Sequence, residues 1–204
     1  MIAIAFALVA LGIFFIPGAT NLLEFDRAAL ANGQVWRVAT GHFTHATIDH
    51  LLWDVVVFVV LGLLVERRSR RQLVRVIAVS ALAISAAVFA LEPQFLQYRG
   101  LSGIDSALFV AFVTDALVRT RDRRTKWSLV ALLVAFAAKV IFEYAAGTTL
   151  FVDATAAMTP VPLAHVAGGL VGGGIVVATR TEKYWVVRGT SRVGLAHPME
   201  SVKF

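Results

Sequence analysis

Six apolar stretches punctuate this chain: Ile2–Ile16, Leu51–Val65, Leu73–Leu91, Ile104–Val118, Trp127–Ala146 and Leu163–Ala178. Each is longer than an ordinary β-strand, so each is expected to be a helix. Apolar helices in such number need an apolar solvent. Of the 204 residues, 58% are hydrophobic and only 16% charged, against roughly 25% charged in soluble domains. Six membrane helices of about 20 residues would consume about 120 residues, close to the hydrophobic share. These figures exclude a soluble enzyme, a disordered tail and a small secreted scaffold. The expected fold class is all-α: a polytopic membrane protein with six transmembrane helices over residues 1–180, followed by a short basic cytoplasmic tail, 181–204. The first stretch lacks a basic n-region, so a retained helix is expected there rather than a cleaved signal. With no cysteine, disulfides, thiolate metal sites and cysteine nucleophiles are excluded.

The charges set the orientation. Arg67, Arg68, Arg70, Arg71 and Arg75 follow the second stretch; Arg119, Arg121, Arg123, Arg124 and Lys126 follow the fourth; Arg180, Lys183, Arg188, Arg192 and Lys203 follow the sixth. Alternating helices put all fifteen on one side, leaving Arg27, Arg37 and Arg99 on the other and Lys139 inside the fifth helix. The positive-inside rule then places both termini in the cytoplasm. Orientation accounts for the basic runs without nucleic acid. The long segment between Pro17 and Ile48 and the loops at Glu92–Arg99 and Gly147–Val161 are expected to face outward. The first of these mixes Leu22, Phe25 and Trp36 with Glu24, Asp26 and Arg37, a composition suited to the headgroup region.

Polar groups inside apolar spans cost free energy unless they are paired or solvated, so they point to function. His50 and Asp54 share one face at the outer end of the second helix. Gly100-Leu-Ser102-Gly103 opens the fourth helix, with Asp105 three residues on. His165 opens the sixth, ahead of Gly168, Gly169, Gly172, Gly173 and Gly174. The three helices run inward, so these groups share one depth and one outward cavity. Gly168 and Gly172 have the GxxxG spacing that lets helices approach closely, as the short Ser102 side chain requires. A serine hydroxyl becomes a nucleophile when a neighbouring imidazole removes its proton. The developing oxyanion then needs donors, which backbone N–H groups near Gly103 and the His50 ring can supply. His42, His45 and His50 might suggest zinc, but no pair has i, i+4 spacing. Lys139 and Glu143 do, and mutual neutralisation explains them.

Taken together, these residues resemble the rhomboid family of intramembrane serine proteases. The likeness runs from Trp36-Arg37 through His42-Phe-Thr-His45 and Ala-Thr-Ile-Asp-His50 to Gly62-Leu-Leu-Val-Glu66. It continues with Gly100-Leu-Ser102-Gly103 and ends with Ala164-His165-Val-Ala-Gly168 and Gly172. It implies a six-transmembrane-helix rhomboid-like bundle with Ser102 as nucleophile and His165 as general base. His50 takes the oxyanion-side position, and Trp36, Arg37, His45, Glu66, Gly168 and Gly172 are structural. Neither cofactor nor metal is implied. The implied partners are the lipid bilayer and single-pass or C-terminally anchored membrane protein substrates, cut near or within the membrane segment. The implied location is the bacterial cytoplasmic (inner) membrane with the site opening outward. Arg99-Gly-Leu-Ser-Gly103 is also similar to the rhombosortase subgroup, whose substrates would be exported proteins with a C-terminal anchor that begins glycine-rich.

One position departs from the family pattern. Many rhomboids have Asn four residues after the second-helix histidine, and this chain has Asp54. An ionised carboxylate repels an oxyanion, so Asp54 must either be neutral or pair with His50 and leave oxyanion binding to backbone groups. Asp105 is a further acid able to contact Asp54 or orient His165. Asp54 keeps open a catalytically inactive rhomboid-like protein that binds or escorts membrane proteins. A small transporter relaying through Asp54, Asp105 and Lys139 lacks the internal repeat such proteins show.

Overall fold

The computed structural model describes residues 1–149 and 161–193, with side chains as far as Arg180. The expected outer loop at Gly147–Val161 falls mostly outside these residues, as do the side chains of the 181–204 tail. In chain order the elements are α1 (Ile2–Phe15), α2 (Ala19–Leu23), β1 (Phe25–Asp26), α3 (Arg27–Ala31), α4 (Arg37–Thr40), α5 (Ile48–Arg68), α6 (Arg70–Leu91), β2 (Gln97–Tyr98), α7 (Ser102–Arg119), α8 (Arg123–Ala146) and α9 (Pro162–Val193). Each of the six apolar stretches is helical, and the assembly is an all-α membrane bundle. The starts of the helices follow from short polar caps. The Thr47 hydroxyl accepts the His50 N–H, Ser69 accepts the Gln72 N–H, and Asp122 accepts the Thr125 N–H. Ser69 is also the residue that ends α5, so a single extended residue turns the chain into α6.

Four helices, α5, α6, α8 and α9 as far as Arg180, are long and apolar enough by themselves to cross a membrane. α1 is apolar but shorter. α7 is long, yet it carries Ser102, Asp105, Ser106 and Asp115, and the reason lies in its position. It packs against α5, α6, α8 and α9, so protein rather than lipid surrounds its polar groups. α8 is its opposite: among its residues only Val140 and Glu143 are buried, Phe136 packs against Phe109, and much of the remaining surface is exposed.

Small residues set the closest contacts. A Cβ built on Gly168 would overlap the Gly103 carbonyl, and one on Gly172 would overlap the Ala107 carbonyl. α7 and α9 therefore touch backbone to backbone along this stripe. In α1 the buried residues are Ala3, Ala7 and Ala10, and Ala3 packs over Gly62 of α5. Glu66 completes that contact by accepting the Ile2 N–H at 2.9 Å and the Ala3 N–H at 3.0 Å, which caps the first turn of α1.

At the arginine-rich end, Asp115 of α7 gathers Arg68 of α5, its own i+4 neighbour Arg119 at 2.8 Å, and Arg180 of α9 at 2.8 Å. One arginine from each of the three basic clusters thus meets at a single carboxylate. At the other end the segment between α1 and α5 is folded. β1 pairs antiparallel with β2, Phe25 opposite Tyr98. Arg37 is buried and binds the carbonyls of Asn21 and Glu24 and the Gln34 side chain. Trp36 beside it is half exposed. Arg27 caps the end of α6 through the carbonyls of Val88, Phe89 and Glu92.

His42 lies in the turn at Gly41–Phe43, fully buried, and its Nε2 donates to the Ala81 carbonyl at 2.9 Å. Burial holds this imidazole neutral and lowers its pKa to about 4. The unfolded chain therefore takes up a proton below pH 6.5 that the folded chain refuses until about pH 4. Stability contributed by the neutral ring is full above pH 6.5 and falls by about 1.4 kcal/mol per pH unit across that window. Thermal unfolding in detergent should show a steeper acid loss for the native chain than for His42→Gln; equal slopes would contradict the assignment. Gly172→Val should force α7 and α9 apart and cost at least about 1–3 kcal/mol, read as a lower unfolding midpoint, whereas Gly174→Val, with open space around it, should cost far less.

Candidate active site

The first turn of α7 is held from below by α5. Gly100 precedes it with φ of +109°, and a Cβ there would lie 2.6 Å from His50 Nε2 and 3.0 Å from Asp54 Oδ2. Glycine is thus required twice, by conformation and by space. With the backbone this close, Asp54 Oδ2 accepts the Leu101 N–H at 2.8 Å and the Ser102 N–H at 3.2 Å. His45 Nε2 and His50 Nε2 each lie 3.2 Å from the same oxygen. Four donors converge on one buried carboxylate, an arrangement that holds a negative charge. Leu101, the residue at the cap position, has no side-chain oxygen to offer; Asp54 serves as the N-cap from another helix.

Of the two sequence expectations for Asp54, the geometry is that of a pairing carboxylate, with one addition and one correction. His45 joins His50, which spacing did not foresee. The Ser102 N–H, one of the backbone groups left for the oxyanion, is engaged by Asp54. His45, His50 and Asp54 also bring three ligand-type atoms within 4.8 Å of one another. The spacing argument against zinc overlooked this cluster, because a loop rather than a helix carries His45. A cation there would face two N–H dipoles aimed at the shared oxygen. Both Nδ1 atoms are buried without a partner, whereas metal-bound imidazoles donate their second nitrogen to an acceptor. The chemistry of the set is therefore that of a hydrogen-bonded anion. His42 lies apart, against α6.

Above this hub a cavity of about 380 Å³ opens. Ser102, Asp105, His165, Lys139 and Glu143 supply its polar wall, and Trp53, Val57, Leu61, Phe109 and Phe136 its apolar one. The starts of α7 and α9 abut, since a Cβ on Gly103 would be 3.2 Å from the Ala164 carbonyl. Ser102 and His165 are thereby brought to one cavity from helices 60 residues apart in sequence. Asp105 is buried, with Oδ1 lacking a hydrogen-bond partner, and no described contact joins it to His165. The acid beside His165 is Glu143 instead: its Oε2 lies 3.1 Å from His165 Nδ1, though not in line with a ring N–H. The same oxygen is 2.7 Å from Lys139 Nζ. The sequence pairing of Lys139 with Glu143 is present, but it omits the histidine. The signal was available. Glu143 stands three residues before the end of α8 and His165 three after the start of α9, so connected antiparallel helices put them at one depth.

The fold and cavity define an integral membrane protein with a serine, a histidine and carboxylates drawn together inside an apolar bundle. The rhomboid domain model matches residues 32–182, most of the chain, and the protein belongs to the rhomboid family, whose members are generally serine intramembrane proteases acting on membrane proteins. No curated protein matches it.

Asp54→Leu should leave two backbone N–H groups and two imidazoles unpaired and cost about 3–5 kcal/mol. Asp54→Asn retains an acceptor for the turn and should cost about 1–2 kcal/mol. Chemical unfolding in mixed micelles separates the two; equal losses would remove Asp54 from the role of cap.

Proposed function

We propose that this chain is an active intramembrane serine endopeptidase. The observation that carries the reading is the convergence of Ser102 and His165 on one cavity where α7 and α9 touch. His165 takes the Ser102 Oγ proton as the hydroxyl attacks a substrate carbonyl, then returns it to the leaving amine; water releases the acyl group by the reverse sequence. The α7 N-terminus and its dipole, with the Gly103 N–H, favour the oxyanion; His50, the oxyanion-side histidine expected from the sequence, has its Nε2 turned to Asp54 and serves the site by holding the turn. Asp54 contributes by fixing the turn rather than by donating. The apolar wall suits a segment of membrane helix that has unwound beside the nucleophile.

The wider setting belongs to the same proposal. The bundle crosses the bilayer six times within residues 1–180, and its arginine-rich end and tail, 181–204, face the cytoplasm. The cavity opens to the outer side of a bacterial inner membrane. Trp36 and Arg37 stabilise the first loop. Substrates are single-pass or C-terminally anchored membrane proteins, and the Arg99–Gly103 run favours glycine-rich junctions at a C-terminal anchor. A second reading, a catalytically inactive family member that binds or escorts membrane helices, is favoured by one observation: Asp54 holds the Ser102 N–H that an oxyanion would use.

Purified protein in liposomes without an ion gradient should cleave a single-pass substrate and label with a fluorophosphonate. Ser102→Ala and His165→Ala should each reduce cleavage by roughly 10³-fold or more. Absence of both labelling and cleavage would leave only the escort reading, and cleavage indifferent to Ser102 would remove Ser102 from the role of nucleophile.

A further inference from the structure

We propose that Glu143 is a positioning residue for His165, and that Lys139 is the counter-charge that holds Glu143 in place. The inference rests on the protease reading and adds an α8 ion pair to the serine and histidine. A general base must present an unprotonated nitrogen to the serine, so the other nitrogen must carry the hydrogen and needs an acceptor. Glu143 Oε2, 3.1 Å from Nδ1, is an acceptor only. The contact is off axis in the free protein, as catalytic hydrogen bonds often are before substrate binds. A carboxylate acting alone inside an apolar bundle would also draw a second proton onto the ring and abolish the base. Lys139 Nζ, 2.7 Å from that same oxygen, offsets the charge. Burial makes both effects count: Glu143 is 2% exposed and His165 7%.

Among the described residues, the other titratable groups around His165 are the same in every variant. α7 brings Ser102 and Asp105, and α5 brings His50 and Asp54, with His45 behind them. Tyr98 approaches through Gly103. The ionisable residues of α6 (Arg70, Arg71 and Arg75) sit in its first turns, at the Asp115 end of the bundle.

The test uses the full chain and reads the ring directly as well as through activity. In ¹⁵N-histidine Ser102→Ala protein, the neutral His165 ring should carry its hydrogen on Nδ1, and Glu143→Gln should raise the fraction with hydrogen on Nε2. In the active chain, Glu143→Gln should lower kcat by about 10–100-fold with little change in KM, and move the acid limb of the pH–activity profile to lower pH. Lys139→Met should move that limb the opposite way, by about one pH unit or more. The double variant Lys139→Met/Glu143→Gln should return it toward the starting position, and guards against a single variant that fails to fold. A partner that only held α8 in place would not produce opposite shifts. Unchanged ring tautomer and an unmoved acid limb in folded variants would overturn the proposal. A native chain that neither labels nor cleaves would overturn the protease reading instead, while the ring measurement would still decide the Glu143 contact.

Discussion

A carboxylate buried in an apolar bundle must find donors, and in this protein four of them find partners on another segment. Glu66 of α5 takes the first N–H groups of α1. Asp54 of α5 takes the α7 turn and two histidines. Asp115 of α7 takes arginines from α5 and α9, and Glu143 of α8 lies against His165 of α9. Water and lipid offer these groups little, so the cost of leaving any of them unpaired fixes the helix arrangement. Apolar side chains fill the spaces between, but they are interchangeable with lipid and specify less.

Close packing supplies what the polar ties need. Gly168 and Gly172 let α9 rest on the α7 backbone, and Gly100 lets α7 begin directly above His50 and Asp54. With larger residues at these positions, the helices that carry Ser102 and His165 would stand further apart. The central position of α7 also explains how a helix that carries Ser102, Asp105 and Asp115 can lie within the bundle: surrounding helices replace the bilayer around these groups.

Much of the fold was legible because membrane helices announce themselves by length and composition. The six apolar stretches became six helices, and one arginine of each basic cluster meets Asp115. The sequence also singled out Ser102 and His165, because a serine among glycines and a histidine before GxxxG stand out in apolar surroundings. Two contacts were less visible. His45 reaches Asp54 from a loop, where helical spacing has no predictive force. Glu143 was satisfied by Lys139 on its own helix, and a satisfied pair gives no reason to seek a third partner.

The sequence by itself determined that the chain lives in a membrane as an α-helical bundle, and it singled out the polar residues that stand inside the apolar stretches. These follow from local composition and from periodicity within single helices. The tertiary structure decided which carboxylate serves which partner. Asp54 became the cap of α7, and Glu143 rather than Asp105 came to stand beside His165. Side chains on separate helices meet according to helix rotation and depth, and those are set by backbone contacts at glycines that no single segment encodes.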